Sequence, residues 1–312
     1  MVCPSCAEPV SAADLYCEAC GRSLPNARTR APGSPPGDVP DPTPPTPAAN
    51  GAWVMERDRV EVSLPTLAGV SDRGLRRERN EDAMALASLD GAGARIAVVC
   101  DGVSSSTEAA TASEFAARAA HAHLVKAVRA GRPDLADSMR QAVAAAHQAV
   151  RDISDGAAAS DDAPASTLVA AVLRGRNVTI GSIGDSRAYF LDSTEGWQLT
   201  KDDTWAGDQV HLGLMSEAEA AADPRAHALT GWLGGEQADA PEPEVSNFEL
   251  ATPGCLLLCT DGLWNYAPRV ERLRELVLKA YAPNPLEMAR ELTDFARAAG
   301  GEDNITVVVG FV

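Results

Sequence analysis

The order of apolar and polar positions predicts strands and helices throughout the chain from about residue 53 onward. Short apolar runs are typical of buried strands, and they occur at residues 67–71, 96–100, 255–260 and 305–311. Turn residues separate three further predicted strands, at residues 166–174, 177–183 and 187–192. Amphipathic stretches predict four helices, at residues 108–129, 134–154, 270–280 and 285–299. Strands interleaved with pairs of helices favour an α+β fold, in which helices cover antiparallel sheet.

Three segments do not follow this pattern. Residues 25–52 are rich in Pro, Ala, Thr and Gly and contain Pro-Pro pairs, so they predict an extended linker without helix or sheet. Residues 202–239 are polar, acidic and rich in alanine, and they predict an irregular insertion. Residues 1–24 contain four closely spaced cysteines. The predicted organisation is a small unit at 1–24, a linker at 25–52 and one large domain at 53–312.

The four N-terminal cysteines form two C-x2-C pairs, Cys3 with Cys6 and Cys17 with Cys20. Two thiolates at this spacing hold one side of a tetrahedral zinc ion, and a second pair completes the four ligands. The pattern resembles a short zinc ribbon, which is too small to fold without the metal. The alternative is a redox or disulfide function, which a reducing compartment disfavours.

The other three cysteines lie in or beside apolar runs: Cys100, Cys255 and Cys259. We expect them to be small, reduced residues of the core. The chain has no Cys-x5-Arg loop, so a phosphatase that uses a thiolate nucleophile is a poor alternative.

Charge and hydropathy exclude several classes of partner. The formal net charge of the 312 residues is −17, whereas non-specific nucleic-acid and anionic-membrane binding require a basic face. No run of 18 apolar residues predicts a membrane span, and the N-terminus lacks the pattern of a signal peptide. We therefore expect a cytoplasmic protein that binds neither nucleic acid nor membrane.

Several carboxylates stand at the ends of predicted strands. Asp101 and Asp261 each follow an apolar run and precede a glycine, and Asp303 precedes the last apolar run. Glu81 and Asp82 follow the first predicted strand. A carboxylate at the edge of a buried sheet is costly unless it is paired or bound to a metal. An all-oxygen set of ligands favours Mg²⁺ or Mn²⁺ over zinc.

These residues belong to a series of short motifs in a fixed order along the chain. The motifs are Arg77-Glu-Arg-Asn-Glu-Asp82, Cys100-Asp-Gly102, Ala165-Ser-Thr167, Ile183-Gly-Asp-Ser-Arg187, Leu258-Cys-Thr-Asp-Gly-Leu-Trp264 and Glu302-Asp-Asn-Ile-Thr306. Together they resemble the protein phosphatase 2C (PPM) family of metal-dependent serine/threonine phosphatases in its bacterial form, over about residues 64–312. The resemblance implies two antiparallel β-sheets sandwiched between helical layers, an α-β-β-α arrangement.

The resemblance also implies a role for four residues around two metal ions. Asp101 matches the carboxylate that bridges the ions, and Gly102 matches the glycine whose carbonyl oxygen adds a ligand to one of them. Asp261 and Asp303 match the ligands of the other ion. Asp101 and Asp261, together with Arg77, are the expected catalytic residues.

Four further residues match accessory positions of the same family. Glu81 or Asp82 is expected to contribute to the metals directly or through water, and Asp185 matches a ligand of a third, weaker ion. Arg77 matches the arginine that binds the substrate phosphate, since a planar guanidinium contacts two phosphate oxygens at once. The expected cofactors are two or three Mg²⁺ or Mn²⁺ ions, with one structural Zn²⁺.

The implied reaction is hydrolysis of phosphoserine and phosphothreonine on proteins by a hydroxide that bridges the metals. The implied partners are phosphorylated proteins, including serine/threonine kinases and their targets, and the ribbon is interpreted as a protein-contact module. One alternative is a phosphatase-like domain used only for docking or sensing. Nucleic-acid binding through the ribbon is a weaker one. One departure from the family is Asp202-Asp203, where many relatives have Asp-His.

Overall fold

The computed structural model describes residues 58–154, 163–235 and 239–312. The predicted ribbon at residues 1–24, with its four cysteines, and the predicted linker at 25–52 lie outside the described residues. The chain divides into two compact units, which are described separately. One comprises Asn50–Thr204 with Leu229–Val312, and the part of the other that is described is Trp205–Ala228.

Six antiparallel strands form the first sheet of the large unit. They are β1 (Arg59–Leu64), β2 (Leu67–Asp72), β8 (Arg187–Leu191), β9 (Gly196–Gln198), β12 (Cys255–Cys259) and β13 (Ile305–Phe311). Their order in the sheet is β1-β2-β13-β12-β8-β9. The C-terminal strand β13 is therefore central, between two strands that are far apart in sequence.

Five antiparallel strands form the second sheet. They are β3 (Asp82–Leu89), β4 (Ala94–Asp101), β6 (Leu168–Arg174), β7 (Asn177–Ile183) and β11 (Glu244–Glu249). Their order is β11-β7-β6-β4-β3. A short antiparallel pair, β5 (Ala165–Ser166) and β10 (Leu233–Gly234), is separate from both sheets.

Five helices belong to the large unit. They are α1 (Ala109–Arg129), α2 (Leu135–Arg151), α5 (Asp261–Trp264), α6 (Val270–Lys279) and α7 (Pro285–Ala299). Local sequence explains where two of the longer ones, α2 and α7, begin. Asp134 caps α2 through its side chain, and Asn284 caps α7, which has proline at its first position.

Three apolar clusters hold the layers together. One packs α1 and α2 on the five-stranded sheet, one packs the C-terminal helices on the six-stranded sheet, and one lies between the sheets. Strand β12 illustrates the division, since Leu257 faces the helices while Leu256 and Leu258 face the other sheet. The predicted α-β-β-α arrangement of two antiparallel sheets between helices is confirmed.

The three cysteines of the large unit are free and buried, as predicted: Cys100, Cys255 and Cys259. Burial raises the pKa of the Cys255 thiol to about 12 and raises the pKa of the other two thiols as well. These thiols therefore stay protonated and act as core residues.

The second unit contains two short helices, α3 (Trp205–His211) and α4 (Glu217–Ala221). A capping box between Ser216 and Glu219 starts α4. The Trp205 backbone N–H donates to the carbonyl of Ala228 at 2.8 Å, which brings the ends of the unit together. The prediction of an irregular insertion at residues 202–239 was therefore wrong for this part, which contains two short helices, one of them started by a local cap.

Strands β1, β3 and β11 and the short helix α5 were not predicted from the sequence. Strand β3, Ala-Met-Ala-Leu-Ala-Ser after Asp82, is rich in alanine, which favours helix over strand by propensity. Tertiary pairing with β4 overrides that preference. Among the described residues, no helix has the length and apolar character needed to cross a membrane.

Candidate active site

The ends of neighbouring strands bring the predicted carboxylates together. Asp82 begins β3 and lies opposite Asp101, the last residue of β4, in the antiparallel register. Asp261 begins α5 directly after β12, and Asp303 precedes β13, the partner of β12. Asp185 lies in the turn between β7 and β8. We call these five residues the carboxylate cluster.

The pKa values of the cluster show that its members act on one another. Burial, followed by the charges of Asp82 and Asp261 and of the other two members, raises the pKa of Asp101 well above its usual value. Burial and the neighbouring carboxylates also raise the pKa of Asp261 strongly. The pKa of Asp82 and that of Asp185 are each raised to about 7, chiefly by burial. Mutual repulsion on this scale requires that the side chains share one region.

Among the described residues, Arg77 forms an ion pair with one member of the cluster, Asp303, which leaves most of the carboxylates without a paired cation. Two buried oxygens of the cluster, Asp82 Oδ1 and Asp261 Oδ1, have no hydrogen-bond partner among the described residues. An unpaired buried carboxylate oxygen is costly, and a divalent cation removes that cost. The all-oxygen donor set therefore fits Mg²⁺ or Mn²⁺.

The cluster is not a finished coordination shell. Within residues 58–154, 163–235 and 239–312, no three Asp, Glu, His or Cys side chains are already grouped closely enough to hold an ion. Ionised carboxylates repel one another at short range, and a bound cation would offset that repulsion. The cluster supplies ligands in one region, and the ions would complete the geometry.

Two threonines hold Asp82 from the six-stranded sheet. The hydroxyls of Thr260 and Thr306 donate to Asp82 Oδ2 at 2.9 and 2.8 Å. Thr306 also bonds the hydroxyl of Ser71 on β2, at 2.8 Å. Sequence reasoning gave these residues no role. The available signal was a polar side chain at an inward position of the otherwise apolar strand β13.

Gly102 lies where no side chain fits. A Cβ at this position would be 2.3 Å from the backbone oxygen of Ala109 and 2.9 Å from that of Glu81. The Gly102 N–H donates to the Glu81 carbonyl at 3.1 Å, and the Ser113 hydroxyl donates to the same carbonyl at 2.5 Å. The turn after β4 is thus fixed against the residue that precedes β3.

Arg77 is beside the cluster and is partly exposed. Its Nη2 donates to Asp303 Oδ2 at 2.5 Å. Burial lowers the pKa of Arg77, but the hydrogen bond and charge of Asp303, with the charges of Asp101 and Glu81, outweigh burial and raise it. Glu81 therefore acts electrostatically on the arginine, whereas Asp82 belongs to the cluster.

The backbone of Asp185 is held by Trp264, whose Nε1 donates to the Asp185 carbonyl at 3.0 Å. The guanidinium of Arg187 lies 3.6 Å from the centroid of the Trp264 ring and pairs with Asp202 at 2.6 Å. Asp203 Oδ2 accepts the N–H of Gly184 at 2.9 Å. The Asp202-Asp203 pair, which departs from the family pattern, thus supports the turn that carries Asp185.

Comparison with known proteins gives a consistent result. A family model described as protein phosphatase 2C matches residues 75–297. The serine/threonine protein phosphatase PstP of Mycobacterium tuberculosis is 33% identical over 250 residues, which are 78% of this chain and 44% of PstP. The chain thus spans less than half the length of this relative.

Solved structures of serine/threonine phosphatases are also similar to this chain. The structure of the Mycobacterium tuberculosis phosphatase PstP/Ppp has a TM-score of 0.64 at 31% identity, over 79% of this chain and 97% of that one. The catalytic domain of PstP in complex with two manganese ions has a TM-score of 0.62 at 32% identity, over 81% and 99%. The fold, the order of the motifs and the family match together place this chain in the protein phosphatase 2C family.

Proposed function

We propose that the chain is a metal-dependent serine/threonine protein phosphatase. The observation that carries the proposal is the carboxylate cluster, with two unpartnered buried oxygens on Asp82 and Asp261, beside the cationic Arg77. A related catalytic domain binds two manganese ions, according to its description. Cations held by the carboxylate cluster, together with Arg77, would attract the negatively charged group of a phosphate monoester.

Asp101, Asp261 and Asp303 would hold two Mg²⁺ or Mn²⁺ ions, with the Gly102 carbonyl and Asp82 or Glu81 as further ligands. Asp185 would contribute to a third ion. Such ions supply an activated water and offset charge on the phosphoryl oxygens.

The protein's own groups orient the substrate and the ligands. Arg77 offers a fixed, charged donor for the phosphate at the edge of the cluster. Thr260 and Thr306 keep one oxygen of Asp82 occupied, so that the other faces the cluster. The buried Cys100 thiol, whose pKa is raised, takes no part, so no covalent phosphoenzyme is required.

The test is hydrolysis of a phosphoserine or phosphothreonine peptide with and without Mn²⁺. We expect cation-dependent turnover by the wild type and a loss of at least about a hundredfold in Asp261→Asn. Asp90→Asn is the matched control, since Asp90 is an exposed aspartate beyond the opposite end of β3. Absence of metal-dependent turnover in the wild type would instead favour a docking or sensing module.

The N-terminal cysteines carry a second part of the proposal. Cys3, Cys6, Cys17 and Cys20 bind one structural Zn²⁺, on the strength of their C-x2-C spacing. Elemental analysis of the purified protein should give about one zinc per chain, and Cys17→Ser should lose it. The control Cys255→Ala removes a buried core cysteine and should keep the zinc. Equal zinc content in all three proteins would contradict the ribbon.

We further propose a role for the ribbon and a location for the protein. The substrates are proteins phosphorylated by serine/threonine kinases, in the cytoplasm, and the ribbon contacts such partners. Deletion of residues 1–24 should leave hydrolysis of a short phosphopeptide unchanged and slow the hydrolysis of a phosphorylated kinase or kinase target. Equal rates on both kinds of substrate would contradict a docking role.

A further inference from the structure

Residues 73–81 connect β2 to β3, and we call them the Arg77 loop. They contain no helix or strand, and most of the side chains between Gly74 and Asn80 are exposed or half-buried. Burial of apolar surface therefore contributes little to the conformation of this loop. Its backbone must be fixed by hydrogen bonds if Arg77 is to stay in one place.

One buried side chain binds both ends of the loop. Asn304 is 2% exposed. Its Nδ2 donates to the carbonyl oxygens of Arg73 at 2.8 Å and Arg79 at 2.9 Å. Its Oδ1 accepts the backbone N–H of Glu81 at 2.8 Å. Both amide hydrogens and the amide oxygen of Asn304 are thus used on this single loop.

Asn304 and the preceding residue, Asp303, also hold the side chain of Arg77. The backbone N–H of Asn304 donates to Asp303 Oδ1 at 2.7 Å, and Asp303 Oδ2 accepts from Arg77 at 2.5 Å. The backbone of Asn304 also packs closely against Gly262, where a Cβ would lie 1.9 Å from the Asn304 carbonyl oxygen. Asp303 and Asn304, which directly precede β13, therefore hold both the backbone of the loop and the guanidinium of Arg77.

We infer that Asn304 is a positioning residue for Arg77: it fixes the loop that carries the guanidinium relative to the carboxylate cluster. The inference rests on the proposed function, in which Arg77 contacts the substrate phosphate. No other residue type at position 304 replaces this side chain, since the bonds need two donors and one acceptor in the geometry of a short amide. Aspartate retains the acceptor and loses both donors.

Other bonds of the loop remain when Asn304 is truncated. The Leu75 N–H donates to the Gly301 carbonyl at 2.7 Å, and Asn80 Nδ2 donates to the Ser71 hydroxyl at 2.8 Å. We therefore expect Asn304→Ala to fold with a loosened Arg77 loop. Thermal unfolding of the variant checks this first step.

The decisive measurement is a double-mutant cycle on phosphopeptide hydrolysis at saturating Mn²⁺. Asn304→Ala should raise KM by roughly tenfold or more, because a misplaced guanidinium no longer meets the phosphate. The same substitution in an Arg77→Ala background should change KM less than twofold, since the positioned group is already gone. An equal increase in both backgrounds would overturn the inference.

A control variant tests whether the loss of any hydrogen-bonded asparagine side chain has the same effect. Asn247→Ala removes an exposed asparagine whose Oδ1 accepts from the Thr179 hydroxyl at 2.6 Å, on strands β11 and β7. This variant should leave KM unchanged in both backgrounds. A KM change like that of Asn304→Ala would show that the effect is not specific to the Arg77 loop and overturn the inference.

Hydrogen exchange gives a readout that needs no turnover. Peptides that cover residues 73–81 should exchange faster in Asn304→Ala than in the wild type, whereas Asn247→Ala should not differ from the wild type. Unchanged exchange in Asn304→Ala would overturn the inference by itself. If the wild type had no phosphatase activity, the proposed function would fail, and the exchange result would still decide whether Asn304 anchors the loop.

Discussion

Asp72 and Asp82 are buried aspartates on either side of the Arg77 loop, and they differ in how their charge is compensated. Asp72 is 1% exposed and accepts from Arg297 at 2.6 Å and from Arg59 at 3.3 Å. The backbone N–H of Gly74 donates to its other oxygen at 2.9 Å. Both oxygens of Asp72 are therefore hydrogen-bonded, and one of them pairs with two guanidinium groups.

Asp82 is 3% exposed and faces no such cation. Two hydroxyls donate to its Oδ2, while its Oδ1 has no partner among the described residues. Burial, followed by repulsion from Asp303, raises its pKa to about 7 in spite of these hydrogen bonds. The described residues therefore include ion-pair partners for Asp72 and none for Asp82.

We infer from this difference that Asp72 is a structural carboxylate, whereas Asp82 fits the proposed metal site. A buried ion pair persists because its partners compensate for lost hydration. A group of uncompensated buried carboxylates destabilises the fold, and such groups concentrate where a protein binds cations or performs chemistry. Asp72 and Asp82 are both buried, so the feature that points to the proposed metal site is the missing compensation of the carboxylate charge. Three experiments, from the largest expected effect to the smallest, test this contrast.

The largest effect is expected from Asp101→Asn, which removes one member of the carboxylate cluster. We expect kcat/KM for a phosphopeptide to fall by about a thousandfold, equivalent to roughly 4 kcal/mol, because Asp101 is the expected bridging ligand. The melting temperature without metal should not fall, since one repelling charge is removed. Activity within tenfold of the wild type would show that the cluster is not the metal site.

A smaller effect, on stability rather than activity, is expected from Asp72→Asn. The substitution leaves the charges of Arg59 and Arg297 without their buried partner, and both arginines are partly exposed. We therefore expect a loss of about 2 kcal/mol in the free energy of unfolding, measured in urea. The amide oxygen can still accept from Gly74, so kcat/KM at 25 °C should stay close to that of the wild type. A large loss of activity would remove the contrast between the two sites.

The smallest effect, measured per pH unit, is the pH dependence of stability without metal. In the unfolded chain, Asp82 and Asp185 lose their protons near pH 4, whereas in the folded protein they retain them until about pH 7. Their contribution to stability is thus present at low pH and is lost as the pH rises through about 7. For one such group, the free energy of unfolding falls by about 1 kcal/mol per pH unit within this window.

The measurement compares the wild type with Asp82→Asn from pH 5 to 8 in the absence of divalent cations. The slope should be smaller in the variant and should disappear in both proteins when Mn²⁺ is saturating, because the cations bind the ionised carboxylates. Identical slopes without metal would mean that Asp82 does not titrate as its surroundings predict.

The sequence predicted the parts of this molecule that local pattern controls. The apolar strands before Asp101 and Asp261 and the four long helices occur close to their predicted positions, because periodicity over many residues reports burial directly. The alanine-rich strand β3 was missed, since its residues favour helix and only pairing with β4 makes it a strand. The short helices α3 and α4 were missed because the segment is polar, and the four-residue cap that starts α4 is a weak signal there.

The identity of the candidate site residues came from the sequence, and their arrangement came from tertiary structure. The motifs named Asp101, Asp261, Asp303 and Arg77, since each residue type and its neighbours are visible in the chain. Only the antiparallel register of β3 with β4 brings Asp82 opposite Asp101. Only folding distinguishes Asp82 from the neutralised Asp72, because compensation of a buried charge depends on groups that are distant in sequence. Strand pairing over long separations decides which charges meet, and no local pattern contains that information.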